Sequence, residues 1–88
     1  MWYERIHSFL LSRGFVRSEN DHNLYYKGSG QNKTILLIYA DDLFLTGGDA
    51  REIKWIKDQL KKEFDISDLG LFDGISAWNF NPFQMVFF

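Results

Sequence analysis

Tyr39-Ala40-Asp41-Asp42 is the stretch of this 88-residue chain whose residue types and spacing could do chemistry. Two adjacent carboxylates stand between the apolar runs Thr34 to Tyr39 and Leu43 to Thr46. Like charges about 4 Å apart repel by about 1 kcal/mol in water and by more beside a low-dielectric strand pair. A tight hairpin tip usually takes Asn-Gly or Asp-Gly, because a primed turn needs positive φ at its centre. Here the tip reads as Asp41-Asp42, so poor turn chemistry and charge repulsion coincide, and a bound divalent cation would relieve the second. Hard oxygen donors with no His or Cys alongside favour Mg²⁺ or Mn²⁺ over zinc. Such carboxylates also hold the paired ions of two-metal phosphoryl transfer, about 3.5–4 Å apart. The same pair is equally readable as a solvated hairpin tip, and spacing alone leaves both readings open.

The elements that must position the pair follow from periodicity. Trp2, Ile6, Phe9 and Leu10 recur at helical steps among polar residues, predicting an amphipathic helix from Trp2 to Arg13 that stops at Gly14. Leu24 to Lys27 reads as a short strand, and Gly28 to Lys33 as a connecting loop. Thr34 to Tyr39 is continuous, apolar and β-branched, the pattern of a strand buried on both faces. Leu43 to Thr46 completes a hairpin with it. Asp49 and Glu52 have the spacing of a capping box, and Ile53, Ile56, Leu60 and Phe64 continue it as a helix from Ala50 to about Glu63. Asp68-Leu69-Gly70 reads as a break, and Gly74 to Trp78 as a last strand. The order predicts an α+β fold, an antiparallel β-hairpin sheet packed by two helices on one face.

Composition narrows the function classes. The chain has no cysteine, which excludes disulfides, thiolate zinc sites and a cysteine nucleophile. A net charge of −2 lacks the basic excess of a self-sufficient nucleic-acid binder, so other segments would supply most phosphate contacts. The longest uncharged stretch, residues 74–88, is 15 residues, short of the roughly 20 that span a membrane. The N-terminal residues lack a signal-peptide profile, and the expected setting is intracellular, cytoplasmic or nuclear, not secreted. Aromatic residues make up 18% of the chain, more than so small a core needs. After Asp73 there is no charge at all, and Trp78, Phe80, Phe83, Phe87 and Phe88 make that apolar tail a candidate for self-association.

Tyr39-Ala40-Asp41-Asp42 between two apolar strands resembles the Tyr-X-Asp-Asp motif of reverse transcriptases, and its flanks resemble the copia type of retrotransposon polyprotein. Trp2 to Ile6, Ser8-Phe9-Leu10, Gly14-Phe15, Asn23 to Lys27, Ile35-Leu36-Leu37, Asp41 to Gly47, Glu63-Phe64-Asp65 and Asp68 to Leu71 carry the likeness in order. It implies a partial reverse-transcriptase palm over residues 1–73, followed by a divergent apolar tail, 74–88, that contains one further strand. It further implies that Asp41 and Asp42 are catalytic and bind Mg²⁺ or Mn²⁺, and that Tyr39 and Ala40 contact substrate. RNA or DNA template-primer and a deoxynucleoside triphosphate would be the partners. The family's third metal-binding aspartate lies on a strand upstream of the first helix, and nothing here matches it. The chain alone is therefore expected to be inactive; the alternatives are a non-catalytic interaction module and a functionless transposon relic.

Weaker signals resolve against function. Gly28 to Thr34 has the outline of a phosphate loop, but Asn32 stands where the second glycine must be. His7 and His22 have no ligand spacing and read as solvated. Lys54, Lys57, Lys61 and Lys62 read either as a solvated helix face or as a contact to a nucleic-acid backbone. Trp55 departs from the apolar step of its helix and reads as an interface residue or a cover over the sheet edge.

Overall fold

The structure, a computed structural model, describes residues 2–80. Phe83, Phe87 and Phe88, with the self-association expected of them, lie outside the described residues. Helix α1 (Trp2–Ser12) leads into β1 (Val16–Arg17) and β2 (Leu24–Lys27), and a single 3₁₀ turn (Gly30–Asn32) connects to β3 (Thr34–Tyr39) and β4 (Asp42–Gly47). Helix α2 (Ala50–Glu63) and the strands β5 (Ile66–Phe72) and β6 (Ile75–Phe80) complete the order. The six strands form one antiparallel sheet in the order β1-β2-β3-β4-β6-β5. This is the α+β arrangement that the periodicities predict.

Ile6, Phe9 and Leu10 of α1 and Ile56 and Leu60 of α2 bury their stripe against Tyr25, Leu36, Ile38, Leu43, Leu45, Trp78 and Phe80. Both helices therefore cover one sheet face, as expected. The other face is open, which corrects the reading of β3 as a strand buried on both sides. Its residues alternate, with Thr34, Leu36 and Ile38 buried and Ile35 and Tyr39 exposed. An all-apolar strand arises here because the open face is itself apolar, not because a second layer covers it.

Asp49 caps α2 as predicted, accepting from the Arg51 and Glu52 amides at 2.9 and 3.4 Å. The Glu52 carboxylate, expected to reach back to the cap, meets Lys27 Nζ at 2.7 Å instead. The same ammonium lies 4.4 Å from the centre of the Trp55 ring, so Trp55 covers the flank of α2 beside β2.

Two features at the end of the chain depart from expectation. Asp68-Leu69-Gly70 does not break the structure but forms a bulge within β5, with Gly70 at φ +104° and its N–H donating to Asp68 Oδ1 at 2.8 Å. Turn-forming residues are absorbed there because a bulge needs one residue at positive φ. The strand expected at 74–78 extends to Phe80 and inserts between β4 and β5. Phe80, expected in the divergent apolar tail, is buried with its ring edge-on to Phe64 at 5.6 Å.

Candidate active site

The β3–β4 register sets the geometry of the carboxylate pair. Leu36 opposes Leu45, Ile38 opposes Leu43 and Tyr39 opposes Asp42, which leaves Ala40 and Asp41 as the two loop residues. The turn thus lies one residue earlier than Asp41-Asp42. This register sets Leu36 directly against Leu45 and Ile38 against Leu43, whereas a tip at Asp41-Asp42 would set Leu43 against Ala40 and Leu36 against Gly47, losing apolar cross-strand pairs. Ala40 consequently takes φ +53° whereas Asp41 is not among the positive-φ residues, the sign pattern of a type II′ turn. Positive φ in a residue with a Cβ costs of the order of 1–2 kcal/mol, so the strain falls on the residue between Tyr39 and the acids.

Asp41 is exposed on the turn, and Asp42 is the half-buried first residue of β4. Asn79 is the register partner of Asp42, and its Nδ2 donates to Asp42 Oδ1 at 2.8 Å. One residue on, the Phe80 N–H donates to the Asp41 carbonyl at 2.8 Å. Tyr39 is 68% exposed on the open sheet face, the face that Asp42 and Asn79 share by register. The structure therefore brings Tyr39, Ala40, Asp41 and Asp42 together and adds Asn79 and Phe80. Asn79 escaped sequence reasoning because its place follows from β4–β6 pairing, which no local pattern encodes. The nearest signal was the strand pattern running from Gly74, which had only to be carried two residues further.

Among the described residues no three His, Cys, Asp or Glu side chains gather as a metal-binding group. The two acids supply hard oxygens only. That donor set fits Mg²⁺ or Mn²⁺, which keep several waters and are commonly held by one or two carboxylates plus substrate phosphates. A cavity of about 430 Å³ lies at the other end of β4 on the helix side, lined by residues including Gly48, Ile53, Lys57 and Leu71. It contains none of the four site residues.

His7 is not the solvated residue that its spacing suggests. It is half-buried, and its Nδ1 shares a 2.7 Å hydrogen bond with the Tyr25 hydroxyl, which also accepts from Arg17 Nε at 3.3 Å. Desolvation, and secondarily the Arg17 charge, hold the His7 pKa below its ordinary value. This cluster is structural and lies on the helix side of the sheet.

A profile of the family described as "Reverse transcriptase (RNA-dependent DNA polymerase)" matches residues 1–80, the whole described fold. The chain belongs to the reverse transcriptase family. This reverse-transcriptase sequence is 37% identical over 70 residues to the "Retrovirus-related Pol polyprotein from transposon TNT 1-94" of Nicotiana tabacum, covering 78% of this chain and 5% of that one. It is 35% identical over 79 residues to the corresponding polyprotein from transposon RE2 of Arabidopsis thaliana, covering 86% and 5%. The "Putative transposon Ty5-1 protein" of Saccharomyces cerevisiae is 29% identical over 79 residues, covering 90% and 26%. The copia-type assignment drawn from the motifs agrees with these relatives. The chain thus spans about 5% of the Pol polyproteins it matches. No solved structure matches it.

Proposed function

We propose that this chain is the carboxylate-bearing part of a polymerase palm that extends a primer 3′ hydroxyl with deoxynucleotides on an RNA template, inside the cell. One observation carries the reading: adjacent carboxylates at a two-residue turn of a rigid hairpin, beside an exposed tyrosine on an open sheet face. Asp41 and Asp42 are the residues that would hold Mg²⁺ or Mn²⁺, and such an ion, when bound, activates a hydroxyl and neutralises phosphoryl charge. Tyr39 offers its ring as a stacking surface for a base or sugar. Ala40, with a single methyl, lets the nucleotide approach the turn backbone. The described residues offer two carboxylates for metal, and the chain spans about 5% of the Pol polyproteins it matches, so the isolated 88 residues are expected to be inactive.

Two measurements test this. Thermal unfolding with and without Mn²⁺ should show a rise in Tm that Asp41→Asn removes; a rise that survives the substitution overturns the metal assignment. Grafted over the matching stretch of a full-length Pol polyprotein, residues 2–80 should support primer extension, and Asp41→Asn or Asp42→Asn should abolish it. Primer extension by the isolated chain that Asp41→Asn removes would refute its inactivity. A second reading, a non-catalytic interaction module, draws on the open sheet face, where Val16, Ile35, Phe72 and Ile75 are exposed. It predicts no Mn²⁺ response and concentration-dependent association.

A further inference from the structure

We infer that Asn79 is a positioning residue for the carboxylate pair: its side-chain amide fixes Asp42 through Oδ1 and holds the second oxygen of that carboxylate for a divalent cation beside Asp41. The inference rests on the metal-site reading above. Its geometry is direct. Asn79 and Asp42 are cross-strand partners in β6 and β4, and Nδ2 lies 2.8 Å from Oδ1. Only the nitrogen of the amide can donate to a carboxylate, so the chemistry itself sets the amide orientation. Both residues sit on paired strands, whose backbone positions are more constrained than those of a loop. The next residue on the same strand, Phe80, donates its N–H to the Asp41 carbonyl at 2.8 Å, so β6 braces both members of the pair.

The residue type also matters. A Lys or Arg opposite Asp42 would orient the carboxylate equally well, but its charge would cancel the attraction for a cation. An amide donates its N–H and leaves the negative charge in place. Ligands held in this way by outer partners typically lose 10–100-fold in metal affinity when the partner is removed.

The test is Mn²⁺ affinity of the full 88-residue chain, read by electron paramagnetic resonance of free Mn²⁺, with far-UV circular dichroism confirming the fold. Asn79→Leu, of similar size but without a donor, should weaken binding about tenfold. In an Asp42→Asn background the same substitution should have no further effect. Asn79→Leu affinity within twofold of the parent chain, or an equal loss with and without Asp42, overturns the inference. If Asp41→Asn weakens binding while Asn79→Leu does not, positioning alone fails; if Asp41→Asn changes nothing, the metal-site reading fails and takes the inference with it. A second readout does not need the Asn79 variant to fold. The Asn79 side-chain amide protons should shift on Asp42→Ala, and an unchanged resonance overturns the bond on which the inference stands.

Discussion

The backbone N–H of Phe80 donates to the carbonyl of Asp41 at 2.8 Å, and this one bond ties the aromatic core to the carboxylate turn. The Phe80 ring packs edge-on against Phe64 at 5.6 Å, and Phe64 packs edge-on against Phe9 at 5.4 Å. An unbroken aromatic row therefore runs from α1 past the end of α2 to β6, whose backbone then fixes the turn. Residues far from the acids in sequence set where the acids stand.

Phe80→Ala should remove a buried ring and leave a cavity beside Phe64, lowering stability by about 3–5 kcal/mol. Urea denaturation checks this, and a loss below about 1 kcal/mol would mean that the ring is not part of the core.

Ala40→Gly should stabilise the chain by about 1 kcal/mol, because glycine adopts the φ of +53° at this turn without the Cβ penalty. The urea midpoint should rise with an unchanged slope. A fall in midpoint would show that alanine is unstrained there.

Gly48→Ala should be more damaging than its size implies. A Cβ at residue 48 would stand 1.8 Å from the Gln31 carbonyl oxygen, a backbone atom of the connecting loop that cannot rotate away. A loss of at least about 1–3 kcal/mol is expected in thermal or urea unfolding. Gly30→Ala, at φ +62° with no atom within 4 Å of the added Cβ, serves as the comparison: backbone strain without a clash.

Stability should fall on acidification through a contribution from His7. Burial and the Arg17 charge depress its folded-state pKa, so the unfolded chain binds this proton more readily. The contribution is present in full above the ordinary histidine pKa of about 6.5 and is lost as pH falls through the lower folded value. Comparing urea midpoints of the parent chain and His7→Gln between pH 7.5 and 5 isolates it. The parent should lose more stability over that range; equal losses would assign the acid sensitivity to other groups.

Helix α2 was legible because its apolar residues recur at steps of three and four behind a capping aspartate, both local signals. The hairpin was legible for the same reason, but its tip was misplaced by one residue. Asp-Asp looks like a turn, whereas the observed register is the one that pairs Leu36 with Leu45 and Ile38 with Leu43 across the strands. Strand β5 was obscured because Asp68 and Gly70 carry turn chemistry that the strand turns into a bulge. His7 looked solvated because nothing local reveals that Tyr25, eighteen residues away, lies over it. Asn79 needed the β4–β6 pairing, a contact across 37 residues, and such pairing is a property of the folded sheet alone.

Strand β6 lies between β4 and β5 although it follows both in the chain. During synthesis from the N-terminus, α1 through α2 can begin to assemble while β5 still has no neighbour in the sheet. The carboxylate turn then exists before its braces, and Asp42 waits for Asn79 until the far end of the fold has left the ribosome. A premature stop between residues 66 and 75 would release a chain with both acids in place, the exposed backbone edge of β4 unpaired, and an open strand ready to capture a neighbour.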